Sequence, residues 1–264
     1  MIPLSQTTKL VEKKGDTAVF EIEALYPGYG VTIGNTLRRV LLSSMEGAAA
    51  TQVKIKGVSH EFSTIPGVLE DVITILLNLK QMRFKVHGEG PVRATLRVTG
   101  EKEVKGSHFK LPPEVELINQ DVHIATLTTK TAELEMELQI EKGVGYVPVE
   151  MRTKGKKDEI GVIALDAIFT PVRRVSFKVE NMRVGEKTDF DKISLQIETD
   201  GTMSPEAALF AAAEILKSQF ELIRQGVKPK EKEALRPFGP AQGKRAPAKA
   251  KPKKTAKTKK TKKS

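Results

Sequence analysis

The sequence contains neither cysteine nor tryptophan. Without cysteine there is no disulfide, no thiolate nucleophile and no cysteine-ligated zinc, an absence that fits a cytoplasmic protein. Without tryptophan, a stacking platform for single-stranded nucleic acid would rest on scattered Phe and Tyr. No apolar run approaches the roughly 18 residues needed to span a membrane. The opening "MIPLSQTTKLVEKK" has neither the basic start nor the apolar stretch of a secretory signal. The phosphate loop G-x-x-x-x-G-K-[ST], the motif G-x-S-x-G and the pair H-x-x-x-H are also missing. The four histidines, His60, His87, His108 and His123, stand far apart. A metal site would have to gather them with carboxylates from separate strands, so ordinary strand or surface positions are the simpler reading. As an enzyme acting alone the chain shows no catalytic residues, no cofactor motif and no metal ligands.

Acidic charge is missing from one place only. The 264 residues carry a formal net charge of +11. Residues 244–264 hold 11 of the 44 Lys and Arg and no acid, which leaves 33 bases against 33 acids in residues 1–243. The body is formally neutral, which weakens the idea of a body built to grip DNA along a groove. The excess lies in Lys244, Arg245, Lys249, Lys251, Lys253, Lys254, Lys257, Lys259, Lys260, Lys262 and Lys263. This Lys/Ala/Pro/Thr tail is expected to be disordered. Its chemistry suits sequence-independent attraction to phosphates; the bland alternative is a solubility tail that binds nothing in particular.

Along the body, "TAVFEIEAL" (17–25) reads as a strand with Val19 and Leu25 inward and Ile22 partly out of phase. "YPGYGVTIGNTLRRVLLSS" (26–44) follows, with Gly28, Gly30 and Gly34 spaced G-x-G-x-x-x-G. A phosphate-cradling turn would explain strand, glycines and helix, with Glu61 after the next strand as a ribose acid. The spacing is wrong for that fingerprint, however, and the remaining chain lacks a strand–helix alternation. Ile33, Leu37, Val40, Leu41 and Leu42 predict an amphipathic helix over 32–45. On it, Arg38 and Arg39 read either as a solvated face or as a rigid partner contact, and pattern alone favours the former. "TQVKIKGV" (51–58) predicts a strand. "IPGVLEDVITILLNLKQ" predicts a buried helix with Glu70 and Asp71 in its first turn and Lys80 near its end. From 83 to 180 short strands dominate: "RFKVHG", "VRATLRVTG", "HFKLP", "DVHIATLT", "AELEMELQIEKG" and "VRRVSFKVE", with a hairpin or long basic loop over "KGVGYVPVEMRTKGKKDEIG". After a strand at 192–201 comes a helix from the N-cap Ser204 and Pro205 to about Gln225, stopped by Gly226. Leu209, Ala213, Leu216, Phe220 and Ile223 recur every three or four residues on it, a seam for a core or for a second helix. Neighbouring alanines allow close approach. The mixture is α+β.

Several of these segments, in this order, resemble the alpha subunit of bacterial RNA polymerase: "PGYGVTIGNTLRRVLLSS", "HEFSTIPGVLEDVITILLNLKQ", "GYVPVE" and "LDAIFTPVRRVSFKVENMRVGEKTDFDKISLQIETDGTMSPEAAL". The resemblance covers about residues 5–228. It implies an α+β fold of two subdomains: residues 1–46 with 178–229 as a dimerisation subdomain, residues 47–177 as a mostly β insert, and residues 230–264 as linker and tail. It also implies a non-catalytic homodimer that scaffolds the beta and beta-prime subunits, with omega and sigma in the assembled enzyme and the catalytic magnesium in beta-prime. The implied dimer surface takes Ile33, Leu37 and Leu41 with Leu209, Ala213, Leu216, Phe220 and Ile223. The implied contacts with the large subunits take Arg38, Arg39, Lys80 and Val172, Arg39 resembling the contact with beta. Members of this family usually continue into a small helical domain that binds upstream promoter DNA and activators. Here no Val, Leu, Ile, Met or aromatic residue follows Phe238, so those contacts are not carried over. The expected setting is the bacterial cytoplasm, at the nucleoid. A contrasting reading is a free-standing DNA-compacting protein with a histone-like tail.

Overall fold

A computed structural model describes residues 5–152 and 161–227. The basic tail, including every Lys and Arg named in it above, lies outside the described residues, as does the expected disorder of 230–264. In chain order the elements are β1 (Lys9–Lys14), β2 (Thr17–Leu25), α1 (Tyr29–Ser43), β3 (Glu46–Ile55), α2 (Val72–Lys80), β4 (Phe84–Val86), β5 (Val92–Thr99), β6 (Lys102–Lys105), a 3-10 turn (Gly106–His108), β7 (Val115–Leu117), β8 (His123–Leu127), β9 (Glu133–Val144), β10 (Tyr146–Val147), α3 (Val149–Arg152), β11 (Val162–Ala164), β12 (Ala167–Ile168), β13 (Val172–Val184), β14 (Lys187–Thr199) and α4 (Pro205–Gly226). They gather around two main apolar cores, one drawn from both ends of the described chain and one from its middle.

The first core lies under an antiparallel four-stranded sheet ordered β1-β2-β14-β13. Strict alternation along β2 turns Ala18, Phe20, Ile22 and Ala24 inward. Val19 therefore belongs to the opposite face, and the phase read from the sequence is corrected: two of the four inward residues are alanines, which hardly register as apolar anchors. Leu25 is inward as well, because Ala24 adopts φ 58 and the pairing of β2 with β14 slips there. Helices α1 and α4 contribute Leu37, Leu41, Ala208 and Ala212 to this core.

The second core is covered by a sheet ordered β5-β9-β3-β4-β7, with β11 also paired to β3. Leu134, Met136 and Leu138 of β9 face Val98, Leu96 and Ala94 of β5 across the ladder, all inward. The outward residues form a charge ladder in which Glu133, Glu135 and Glu137 meet Lys56, Arg97 and Arg93. Helix α2 is shorter than the sequence predicts. Its N-cap is Asp71, whose carboxylate accepts the Thr74 N–H at 2.9 Å. Glu70 stands outside the helix, its carboxylate accepting the Thr126 N–H at 2.6 Å and meeting His123 Nε2 at 2.8 Å. Burial works to raise the Glu70 carboxyl, but these hydrogen bonds outweigh it and hold it low. The helix is not buried all round either: Val72, Ile75, Leu76 and Leu79 are inside, while Ile73 and Leu77 are exposed, as are Leu69 and Phe62 ahead of it. Segment "HFKLP" forms no strand; its His108 closes the 3-10 turn and its Lys110 makes one bridge, to Thr95.

Candidate assembly surfaces

The glycine turn explains itself once α1 is in place. Gly28 caps the helix with φ 83, a conformation that favours glycine. The N–H groups of Gly28 and Gly30 donate to the same oxygen, Oδ2 of Asp191, at 2.9 and 2.8 Å. The anion at this helix N-terminus is thus a carboxylate of the protein's own β14. Gly30 and Gly34 let α1 lie directly on β13: a Cβ on Gly30 would stand 2.6 Å from Val179 Cγ1, and one on Gly34 2.6 Å from the Phe177 ring. The helix runs 29–43 rather than 32–45 because the close approach begins inside the glycine stretch.

With one flank of α1 pressed on the sheet, Arg38 and Arg39 project from the other. Both are exposed, and among the described residues neither has an ion-pair partner. Successive residues on a helix diverge by about 100°, so the two guanidinium groups point to different places. Ser43, one turn beyond, returns its hydroxyl to the Arg39 carbonyl at 2.7 Å.

Helix α4 starts as its residues direct, with Ser204 Oγ accepting the Ala207 N–H at 3.2 Å. Its inward side is made of small residues: Pro205, Ala208 and Ala212 are its buried positions. The seam of Leu209, Ala213, Leu216 and Phe220 instead lines an open apolar groove of about 370 Å³, whose other wall is Ile22, Thr32, Ile33, Thr36 and Leu37. Leu209 and Leu216 are half-buried and Ala213 is exposed. Phe220 is 61% exposed, Ile223 60% and Phe210 70%. Of the first-helix residues expected at a dimer surface, Ile33 and Leu37 reach this groove, Leu37 as its floor. Leu41 does not: it is 0% exposed in the single chain and has no surface left to lose. Its position is corrected to the core.

The remaining expected contacts lie elsewhere. Lys80, at the end of α2, is half-buried and donates to Asp166 Oδ2 at 2.9 Å, while Asp166 Oδ1 accepts the Val149 N–H at 3.1 Å. The Lys80 ammonium, helped by that N–H, holds the Asp166 carboxyl below its usual range. Val172 is 2% exposed and belongs to the first core. Its side chain is not presented to a partner, and the exposed neighbours Arg173 and Arg174 are what this position offers. One surface escaped the sequence reading. Tyr146 of β10 pairs directly with Ile168 of β12, and both stay exposed, close to Val144. Gly145 beside them reaches the Ser43 carbonyl, which sets this apolar pair against the end of α1. The "YV" pair is legible as a β-bridge only once its partner, Ile168 for Tyr146, is known, because a two-residue strand has no period. Among the described residues no group of three or more His, Asp or Glu could hold a metal ion.

Comparison with known proteins matches residues 53–170 to the RNA polymerase Rpb3/RpoA insert domain. The chain is 49% identical over 209 residues to a DNA-directed RNA polymerase subunit alpha of Deinococcus radiodurans, covering 79% of this chain and 60% of that protein. It is 51% identical over 204 residues to the subunit alpha of Oleidesulfovibrio alaskensis, covering 77% and 58%. To the subunit alpha of Carboxydothermus hydrogenoformans it is 45% identical over 221 residues, covering 84% and 69%. The chain thus spans about three fifths of the length of the first two relatives. At this identity and coverage, with the insert matched through the central sheet, the chain belongs to the family of DNA-directed RNA polymerase alpha subunits of bacteria.

Proposed function

We propose that the chain forms a homodimer through the α1/α4 groove and, as a dimer, scaffolds the beta and beta-prime subunits of a DNA-directed RNA polymerase. Catalysis belongs to those large subunits, with the magnesium ion in beta-prime; this chain supplies geometry. The observation that carries the reading is the open seam of α4, where Leu209 and Leu216 pack at the edge of the first core and, with the exposed Phe220, line a groove. A helix seam of this spacing fits a second copy of itself. Arg38 and Arg39 then stand as charged anchors for a large subunit, and the 244–264 tail holds DNA nearby by its charge.

The test is sedimentation of Phe220→Asp beside the unaltered chain, followed by co-expression of each with both large subunits. An unpaired carboxylate buried in a dimer seam costs several kcal/mol, roughly 3–5. The expected result is a monomer that fails to recover the large subunits as one complex. A stable Phe220→Asp dimer at micromolar concentration would place the interface elsewhere.

A further inference from the structure

Two chain crossings join the lobes built on the two cores. The chain passes from α1 into β3 at Glu46 and returns through Phe169, Thr170 and Pro171 into β13. The crossings touch: Gly47 lies against the Phe169 carbonyl, and the Phe169 ring covers Gly143 of β9. Two crossings side by side make a narrow junction, so contacts beside it contribute to how the two cores sit on one another.

One such contact sits on the other flank of β3. In the sheet, β9 lies on one side of β3 and β4 on the other. Phe169 covers the β9 side. Arg83, immediately before β4, occupies the opposite one. Its Nη1 donates to the Lys80 and Met82 carbonyls at 2.9 and 3.2 Å, and its Nε lies 3.4 Å from Asp200 Oδ2. Asp200 belongs to the turn between β14 and α4; its Oδ1 accepts the Thr202 N–H and hydroxyl at 3.0 and 2.6 Å. Gly201 comes down on Ile118, beyond β7. The two charged side chains are 20% and 5% exposed, the most deeply buried ion pair among the described residues. It is also the one ion pair among them that joins the two lobes.

We infer that Arg83–Asp200 is an orientation lock that sets the angle between the groove-bearing lobe and the insert. A buried ion pair adds little net stability compared with a well-packed apolar pair, but it has one satisfactory geometry. It is therefore suited to fixing an angle rather than to holding a fold together. Arg83 grips the last carbonyl of α2, that of Lys80, and Asp200 leads into α4, so the lock couples the two elements directly. Arg39 and Lys80 lie on different lobes, and a partner that touches both reads the angle between them. The purpose of the lock rests on the scaffold reading above; its geometry does not.

The absence of cysteine makes the test clean. Nitroxide labels are placed at Glu101→Cys in the insert and Glu186→Cys in the β13–β14 turn, both exposed positions. Labelled chain is diluted with excess unlabelled full-length chain, and the distance distribution is read by pulsed dipolar spectroscopy. Two variants are compared with the parent: Asp200→Asn, and the double variant Arg83→Met with Asp200→Leu, which leaves no buried charge unpaired and keeps the fold if the single variant loses it. The expected result is loss of the single narrow distance peak, with parental circular dichroism and unchanged dimer sedimentation. A narrow, unshifted peak in the folded double variant overturns the lock. So does loss of large-subunit capture with the peak intact, because Arg83 or Asp200 would then touch the partner directly. The distance is read without the large subunits, so failure of the unaltered chain to capture them would sink the scaffold reading and not the lock.

Discussion

Asp191 is the residue on which the first helix depends, and replacing it measures why the glycine stretch exists. Its carboxylate is 6% exposed and takes the N–H groups of both Gly28 and Gly30. In Asp191→Ala the buried Gly30 N–H loses its acceptor, at about 1–3 kcal/mol. The favourable placement of a negative charge at a helix N-terminus is lost as well, about 0.3–1 kcal/mol and up to about 2 when partly buried. Gly28 lies nearer to solvent and water replaces its partner. The carboxylate's own desolvation is relieved, which returns part of the total. A net loss of about 2–4 kcal/mol is expected. Asp191→Asn keeps an acceptor oxygen in place and gives up the charge, so its loss is about half as large. The assay is urea unfolding followed by circular dichroism, with protomer concentration held constant because a dimer's midpoint moves with it. The midpoint falls for both variants, Ala below Asn, with slopes unchanged. A loss under about 0.5 kcal/mol for Asp191→Ala would mean that solvent serves these amides equally well and that the carboxylate is incidental.

Other outcomes follow from the same geometry. Arg39→Ala, on an exposed position with no ion-pair partner among the described residues, is expected to leave unfolding and sedimentation unchanged while weakening capture of the beta subunit by about 2 kcal/mol, roughly thirtyfold; unchanged co-elution would return Arg39 to a solvated face. For acid stability, Asp166 is held low chiefly by Lys80, and Glu70 by Thr126 and His123 against its burial. Groups with depressed native values stabilise fully above the unfolded carboxylate range and lose that contribution as pH falls through the native value. Urea midpoints should therefore drop below about pH 4, and Glu70→Gln should flatten the drop; an identical pH profile for Glu70→Gln would show that the Glu70 contacts make no difference to folding. Deleting residues 244–264 is expected to abolish weak duplex binding, whose log K in the full chain falls with log salt at a slope of roughly −5, about half the limit for eleven phosphate contacts. Equal binding by the two proteins, or a marked preference for an AT-rich sequence over a scrambled one, would place the DNA contact in the body.

What the sequence made legible was local. The Ser204–Pro205 start of α4, the strand at 17–25 and the rough place of α1 each depend on residues within a few positions of one another. The errors have a common source. The pattern turns Val19 inward because alanines carry little apolar signal and because the kink at Ala24 is invisible in it. The sequence assigns Glu70 to the helix dipole, yet its carboxylate accepts the Thr126 amide of another element. Lys80 looks like a free cation in sequence and is tied to Asp166. The glycines did carry a readable signal of another kind. Gly30 and Gly34 are four apart, on one face of a helix, the spacing at which absent side chains let a helix touch what lies beneath it. Read so, they predict close packing instead of a phosphate.

Helix α4 carries the strongest internal argument for a second copy. An ordinary surface helix buries its large apolar residues and shows its small ones. This one buries Pro205, Ala208 and Ala212 and leaves Phe210, Phe220 and Leu222 more than half exposed. Fully burying one such side chain is worth about 1.5–3 kcal/mol. Two Phe and one Leu left in water thus withhold several kcal/mol per chain, a sizeable part of the 5–15 kcal/mol by which a domain is usually stable. The small residues are not an accident of composition either, since Ala208 and Ala212 are wholly buried in the first core and would be overpacked by anything larger. The same helix therefore packs an alanine face into its own core, while Phe220, on the Leu209/Leu216 seam, stays in water at the rim of a groove that a single chain leaves open.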